Sequence, residues 1–411
     1  MLRPGHILCW ALLLFCAVAR AGDWTLINYG GRDYVTMRNV ADFYDLADYR
    51  EMGVAIDMGV PGRSLHGTVG SNELYINGLK FVLSYPIADV DGAAIISRMD
   101  LTKLIEPVMR PSRIRNAAQI DSIVLDPGHG GYDNGAMSIF GCEKSYTLDV
   151  AWRAKPLLEA QGLAVYMTRT GDEFIPLEER VRFANMHPTA LFIAIHFNSS
   201  GEEANGIETY TLAPRGVPSM AADGPLLSDL RENPGNVCDA ENMALACATH
   251  ASLISYARLY DRGIKRARFV VIRDITIPGV LVEGGFLSNP GDARLIATGE
   301  YREEMAQCIA IAVRNYRNAV NVSPELPPGA GQSVVIRDET TSQPAPAPIA
   351  EAPPDQPSTP SPTPSVQAAI AQLAPVKTTV SPKAAPIQET PPPAPPQIET
   401  GSRSMIMPIV D

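Results

Sequence analysis

Three apolar runs in the middle of this chain each end in a chemically active side chain. IVLDPGH (123–129) ends on His129, ALFIAIH (190–196) on His196 and GVLVE (279–283) on Glu283. Short apolar runs of this kind, separated by helix-like stretches, call for strands covered on both faces. That requirement selects an α/β fold: a mostly parallel twisted sheet flanked by helices on both faces. The spacing predicts strands at Ile123 to Asp126, Leu163 to Thr168, Ala190 to His196, Gly206 to Leu212, Phe269 to Ile272 and Val280 to Glu283. Helices are predicted at 144–160, 177–186, 240–258 and 301–318. In the second of these, LEERVRFAN, Leu177, Val181 and Ala184 fall on one face. Pro156 lacks an amide hydrogen and is expected to bend or break the first helix near Lys155.

The flanks of this unit differ in character. Residues 22–115 read as a small α+β N-terminal domain. Short strand-like runs (TLINYGGRDYVTM, LYINGLKFVLSY, AAIISRM) alternate there with Gly and Asp turns and with the helix-like NVADFYDLA and DLTKLIEPV. The catalytic candidate spans 116–320. From 321 to 411 the chain becomes rich in Pro, Ala, Ser, Thr and Gln, without periodic apolar positions, and is expected to be a disordered tail serving as spacer or tether. Residues 1–21 carry the marks of a secretory signal: Arg3, an apolar stretch from Ile7 to Val18, and Ala19-Arg20-Ala21 before Gly22. Export to the periplasm or the exterior follows, with no transmembrane segment in the mature protein.

Without that segment 32 basic residues face 45 acidic ones, a formal charge of −13 against −11 for the whole chain. Nucleic acid is thereby disfavoured as a partner. Cys142, Cys238, Cys247 and Cys308 remain, too few for a disulfide framework in a chain of this size, with Cys238–Cys247 as one candidate pair.

His129, His196 and the acidic Glu143 between them form the candidate metal site. Two imidazoles and a carboxylate, with a fourth position free, are a hydrolytic zinc set, and one Zn2+ is expected. Glu143 reads equally as an acid favoured at a helix N-terminus, a role compatible with ligation. Glu283 is the candidate proton shuttle, because an acid closing an apolar strand is costly to bury unless something uses it. Asp126 and Asn198 are candidates to orient His129 and His196, or to cap a strand or turn. His66, His187 and His250 have no matching partners. Residues 213–239, rich in Gly, Pro and acids, interrupt the unit as a flap or inserted element.

Several motifs now stand in a definite order: LDPGHGG (125–131), Glu143-Lys144, Thr168-Arg169, Arg180 with Ala184-Asn185, Ile195-His196-Phe197-Asn198, Gly206 with Glu208, Arg262-Gly263-Ile264-Lys265 and LVEGGFLSN (281–289). Over about 120–318 the chain resembles the type 3 zinc-dependent N-acetylmuramoyl-L-alanine amidases. The resemblance implies zinc held by His129, Glu143 and His196, with Glu283 as the catalytic acid/base. It also implies peptidoglycan as substrate, cut between N-acetylmuramic acid and L-alanine, and leaves room for a protein activator. Arg169 and Arg180 are then candidates for stem-peptide carboxylates or for a buried ion pair. The cluster Arg262, Lys265, Arg266, Arg268 and Arg273 either meets the acidic stem peptide or is a solvated surface. Residues 213–239 are expected to gate the cleft.

The N-terminal domain resembles, in pattern only, the N-terminal domain of copper amine oxidases, and is expected to position the enzyme on the wall or on a partner. Two other readings stay open: a different zinc peptidase acting on the stem peptide, and a wall-binding or regulatory protein of weak activity. No HExxH helix is present.

Overall fold

The computed structural model describes residues 24–321 except 116, 223, 257 and 258. The signal read at 1–21 and the tail from 322 lie outside the described residues.

One sheet of eleven strands runs through the molecule. In spatial order its first six strands are Ala164–Met167, Ser122–Pro127, Ala190–Asn198, Gly279–Phe286, Ile207–Leu212 and Asp261–Ala267. The first four are mutually parallel; Ile207–Leu212 runs antiparallel to Gly279–Phe286, and Asp261–Ala267 follows it in parallel. The alternation of side chains along these strands divides two cores. Ile123, Leu125, Leu191, Ile193, Ile195, Val280 and Val282 pack with the helices Glu143–Glu159, Asp239–Tyr256 and Gly299–Asn321. On the opposite face Val124, Phe192, Ala194 and Leu281 meet Val181 and Ala184 of helix Leu177–Asn185. Both faces are covered, so the apolar runs need no polar side.

The expected strand at Phe269 to Ile272 is instead one helical turn, Val270–Arg273, capped by Phe269. The position beside Ile207–Leu212 is taken by Asp261–Ala267, so the later segment has no open edge to join and buries Val271 and Ile272 by turning. Pro156 does not break its helix, which runs unbroken from Glu143 to Glu159. The proline lies in the last turn on the outer side, and the carbonyl that loses its partner belongs to exposed Trp152, where water can replace the bond. Cys238 and Cys247 are free thiols. Cys238 points at the Thr276 carbonyl, and nine residues at ~1.5 Å rise separate it from Cys247 by too much for a disulfide.

The N-terminal residues do not form a sheet wholly their own. Strands Leu79–Val82, Glu73–Ile76, Arg63–Thr68, Ala55–Val60 and Arg50–Met52 extend the large sheet, joined through Ile264 opposite Phe81. A second sheet of four strands, with Ile27–Tyr29, Arg32–Thr36, Ala93–Ser97 and Ala88–Val90, completes this region. Behind the seam Arg266 pairs with Asp100 at 2.8 Å, both buried. Asp100 also accepts from the amides of Ser84 and Tyr85 and from the Ser97 hydroxyl. Among the described residues no helix is long and apolar enough to cross a membrane.

Candidate active site

The parallel strands deliver His129, His196 and Glu283 to one end of the sheet because His196 and Glu283 lie in the carboxyl-terminal half of their strands and His129 just beyond the end of its own. His196 lies in register with Glu283 of the neighbouring strand, and Glu283 in turn with Glu208 of the next. Glu143 arrives from another direction, as the first residue of helix Glu143–Glu159, so its place at a helix N-terminus and its place in the cluster coincide.

Glu143 is buried and sits between the two histidines. His129 Nε2 is 3.0 Å from Oε2, and His196 Nδ1 is 2.9 Å from Oε1. The amides of Ala136 and Phe197 each donate to one of these oxygens, at 2.8 and 3.0 Å. Burial works against the charged carboxyl, but the two histidines overcome it and hold Glu143 below the usual carboxylate range. One donor atom from each of His129, Glu143 and His196 lies within 4.8 Å of the others. Two imidazoles and a carboxylate converging in this way fit a divalent ion of zinc's ligand preference.

His129 stands in the left-handed region, with φ of 63°, directly after the strand. Its Nδ1 is 2.8 Å from Asp133 Oδ2, and a proton on Nδ1 leaves the Nε2 lone pair directed at the cluster. Asp133 is therefore the residue that orients His129. Sequence reasoning passed it over, although its place four residues on, in the turn GGYDNG, was a usable signal. Gly128 is required by packing: a Cβ there would lie 2.2 Å from the His196 ring.

Asp126 does not touch His129. Its Oδ1 accepts from Arg180 at 2.7 Å and from the Thr168 hydroxyl. Arg180 and Arg169 are both buried and unavailable to substrate carboxylates. Arg169 donates to the carbonyls of Pro127 and Gly128, and Arg180 to those of Pro127 and His129. Together they clamp the backbone on which His129 rides. Asn198 turns away from His196 and donates to Glu208 at 3.1 Å.

Glu283 faces the cluster with its Oε2 buried and without a hydrogen-bond partner. Burial, reinforced by the charges of Glu143 and Glu208, raises its carboxyl well above the ordinary value. Glu208 has the opposite environment. Arg262 Nε and Lys265 Nζ each lie 2.5 Å from Oε1, and Tyr210 OH and Asn198 bind Oε2. Burial opposes ionisation here too, but Arg262 and Lys265 lower the Glu208 carboxyl below its usual value.

The basic cluster is thus paired within the fold, with Arg262 and Lys265 keeping part of their side chains exposed. Besides the pairs on Glu208, Arg266 is matched by Asp100, Arg268 by Asp229 and Arg273 by Asp274. Of the remaining histidines, His250 is buried between Thr209 and Asp261, His66 pairs with Asp57 at the surface, and His187 stacks on Tyr166.

Residues 213–239 do not cover the histidines. Strand Ile207–Leu212 starts at the Glu283 end, with Glu208 opposite Glu283, and leads away from it. The segment is fastened at the far end, where Arg268 holds Pro214, Val217 and Asp229, and Tyr85 holds Gly216. The direction of the strand, which composition does not reveal, overturns the gating expectation.

An α/β sheet with a metal-competent His–Glu–His cluster and an unpaired buried acid at the strand ends defines a class of hydrolytic enzyme. Residues 123–315 match the family described as Amidase_3, N-acetylmuramoyl-L-alanine amidase. Amidase AmiA of Escherichia coli (strain K12) is 32% identical over 219 residues, covering 47% of this chain and 75% of that protein. Amidase AmiC of Neisseria meningitidis serogroup B is 34% identical over 233 residues, covering 51% of this chain and 55% of that protein. The chain belongs to the N-acetylmuramoyl-L-alanine amidase family.

Proposed function

We propose that this amidase cleaves peptidoglycan between N-acetylmuramic acid and L-alanine, with zinc held by His129, Glu143 and His196. The observation that carries the reading is the convergence of these three donors opposite Glu283. Bound zinc supplies Lewis acidity and lowers the pKa of the attacking water. Asp133 holds the His129 ring so that Nε2 stays free of a proton. Arg169 and Arg180 fix the loop under it without needing to move. Glu283, with Oε2 unengaged, takes the proton of the attacking water and returns it to the leaving nitrogen, which would otherwise depart as a poor leaving group. Burial and the neighbouring carboxylates raise its carboxyl, which makes it a stronger base for that proton than an ordinary glutamate.

In the same reading residues 1–21 are an export signal, placing the enzyme in the periplasm or outside the cell against the wall. Residues 22–115 contact wall or partner, 116–320 carry the chemistry, and 321–411 are a tether.

Digestion of purified sacculi by the mature protein, with chelator and then with zinc added back, tests the proposal. Whole stem peptides with a free L-alanine amino end should appear, vanish to background with chelator and return with zinc. Single amino acids would instead mark a peptidase, and chelator-insensitive release would remove zinc from the mechanism.

A further inference from the structure

The two sides of the cluster differ in chemistry. On the side of strand Ala164–Met167, Tyr132 is 81% exposed and its ring stacks on Phe174, with centroids 4.3 Å apart. The pair is held firmly against the His129 loop. A Cβ on Gly130 would lie 2.1 Å from the Glu173 carbonyl oxygen, and Asp172 takes both the Gly131 amide and the Lys144 ammonium. Tyr132 lies three chain steps beyond His129, a backbone reach of at most about 10 Å. An exposed aromatic pair on the loop that carries His129 is suited to the apolar face of a sugar ring.

On the other side, beyond Glu283, Arg262 and Lys265 share the single oxygen Oε1 of Glu208. Two cations against one carboxylate leave a positive surplus in a chain whose net charge is −11. Their side chains remain 31% and 19% exposed, whereas Arg266 is sealed at the seam. The Asp261–Ala267 strand lies two places from the Glu283 strand. At ~4.8 Å per strand this is about 10 Å, the length of roughly three residues of extended peptide.

We propose that the substrate lies across the strand ends in one fixed direction, its sugar on the Tyr132–Phe174 platform and a stem-peptide carboxylate at Arg262 and Lys265. This orientation rests on the amidase reading and deepens it. The carboxylate concerned belongs to the second or third residue of the stem peptide. The surplus charge makes the enzyme prefer stem peptides in which that carboxylate is free to those in which it is amidated.

The test compares disaccharide–peptide substrates that differ only in this carboxylate, free or amidated. The unsubstituted protein should show a kcat/KM roughly tenfold higher on the free form, the scale of one charge-assisted contact. Lys265→Gln should bring the two forms level, and Lys265→Arg should keep the preference. Tyr132→Ala should raise KM on the disaccharide substrate by more than on its single-sugar counterpart and leave the carboxylate preference intact. An equal loss on both forms in Lys265→Gln would make the lysine merely structural and overturn the orientation. So would disappearance of the carboxylate preference in Tyr132→Ala. If the unsubstituted protein cleaves neither substrate, the amidase reading itself fails. Calorimetric binding of the free and amidated stem tripeptides then still reads the preference without turnover, and equal affinities would overturn the orientation.

Discussion

Two acids enclosed by the same sheet, Asp100 at the N-terminal seam and Glu283 at the strand ends, have opposite surroundings. Asp100 receives four donors, one of them the buried guanidinium of Arg266. Glu283 has an enclosed oxygen with none, and two other carboxylates nearby. A buried acid matched on all sides fastens parts of the chain that are distant in sequence. One left unmatched lowers stability and is affordable only where chemistry requires it.

The largest effect should come from the unmatched acid. Glu283→Gln is expected to lower peptide release by roughly 10²–10⁴-fold, the range for loss of a general acid/base. Bound metal and melting temperature should hold steady or rise slightly, since a buried charge is removed. Near-normal turnover in that variant would dissolve the contrast with Asp100.

Asp100→Ala should do the reverse. It leaves Arg266 buried without its partner, and Nε and Nη2 of that residue already lack hydrogen bonds. A loss of about 3–5 kcal/mol in denaturant unfolding is expected. The folded fraction should keep its turnover per molecule within a few-fold. A change below about 1 kcal/mol would show that strand pairing alone holds the seam.

Glu208 sharpens the comparison at a smaller scale, because it is an acid of the matched kind placed beside the site. Its carboxyl is lowered in the folded protein, so its pairing stabilises above the ordinary value of 4.5 and is lost as pH falls below that through the folded value. Thermal melting should therefore fall more steeply below pH 4.5 in the unsubstituted protein than in Glu208→Gln, by a few degrees. Parallel melting curves would mean that Arg262 and Lys265 contribute nothing to folding.

His129, His196 and Glu283 were legible in the sequence because each closes an apolar run, and a parallel sheet brings such runs together whatever their separation along the chain, whereas Glu143 opens a helix. The same logic failed at Phe269 to Ile272. An apolar run of four residues suits a strand or a buried turn equally, and the choice fell to which neighbour already held the sheet edge. The actual strand, Asp261–Ala267, was disguised by Arg262, Lys265 and Arg266. Their charges are tolerated because Glu208 and Asp100, from distant segments, neutralise them. Asp126 and Asn198 were placed near the site but given the wrong partners, whereas Arg180 forms a buried ion pair, with Asp126, as one of its two readings expected, and Arg169 binds backbone carbonyls instead. Which group a polar side chain meets depends on the direction in which it leaves its strand or helix.

The sequence by itself determined the alternation of strand and helix and the covering of both sheet faces, and it pointed to His129, Glu143 and His196, whose donor atoms converge. Hydrophobic periodicity and the chemistry of His and Glu are local properties. Only the tertiary structure decided that Asp133 orients His129, that the N-terminal strands continue the catalytic sheet, and that residues 213–239 sit at the end remote from the histidines. Each of these depends on strand order and direction, which are set by contacts between segments far apart in the chain and leave no local trace.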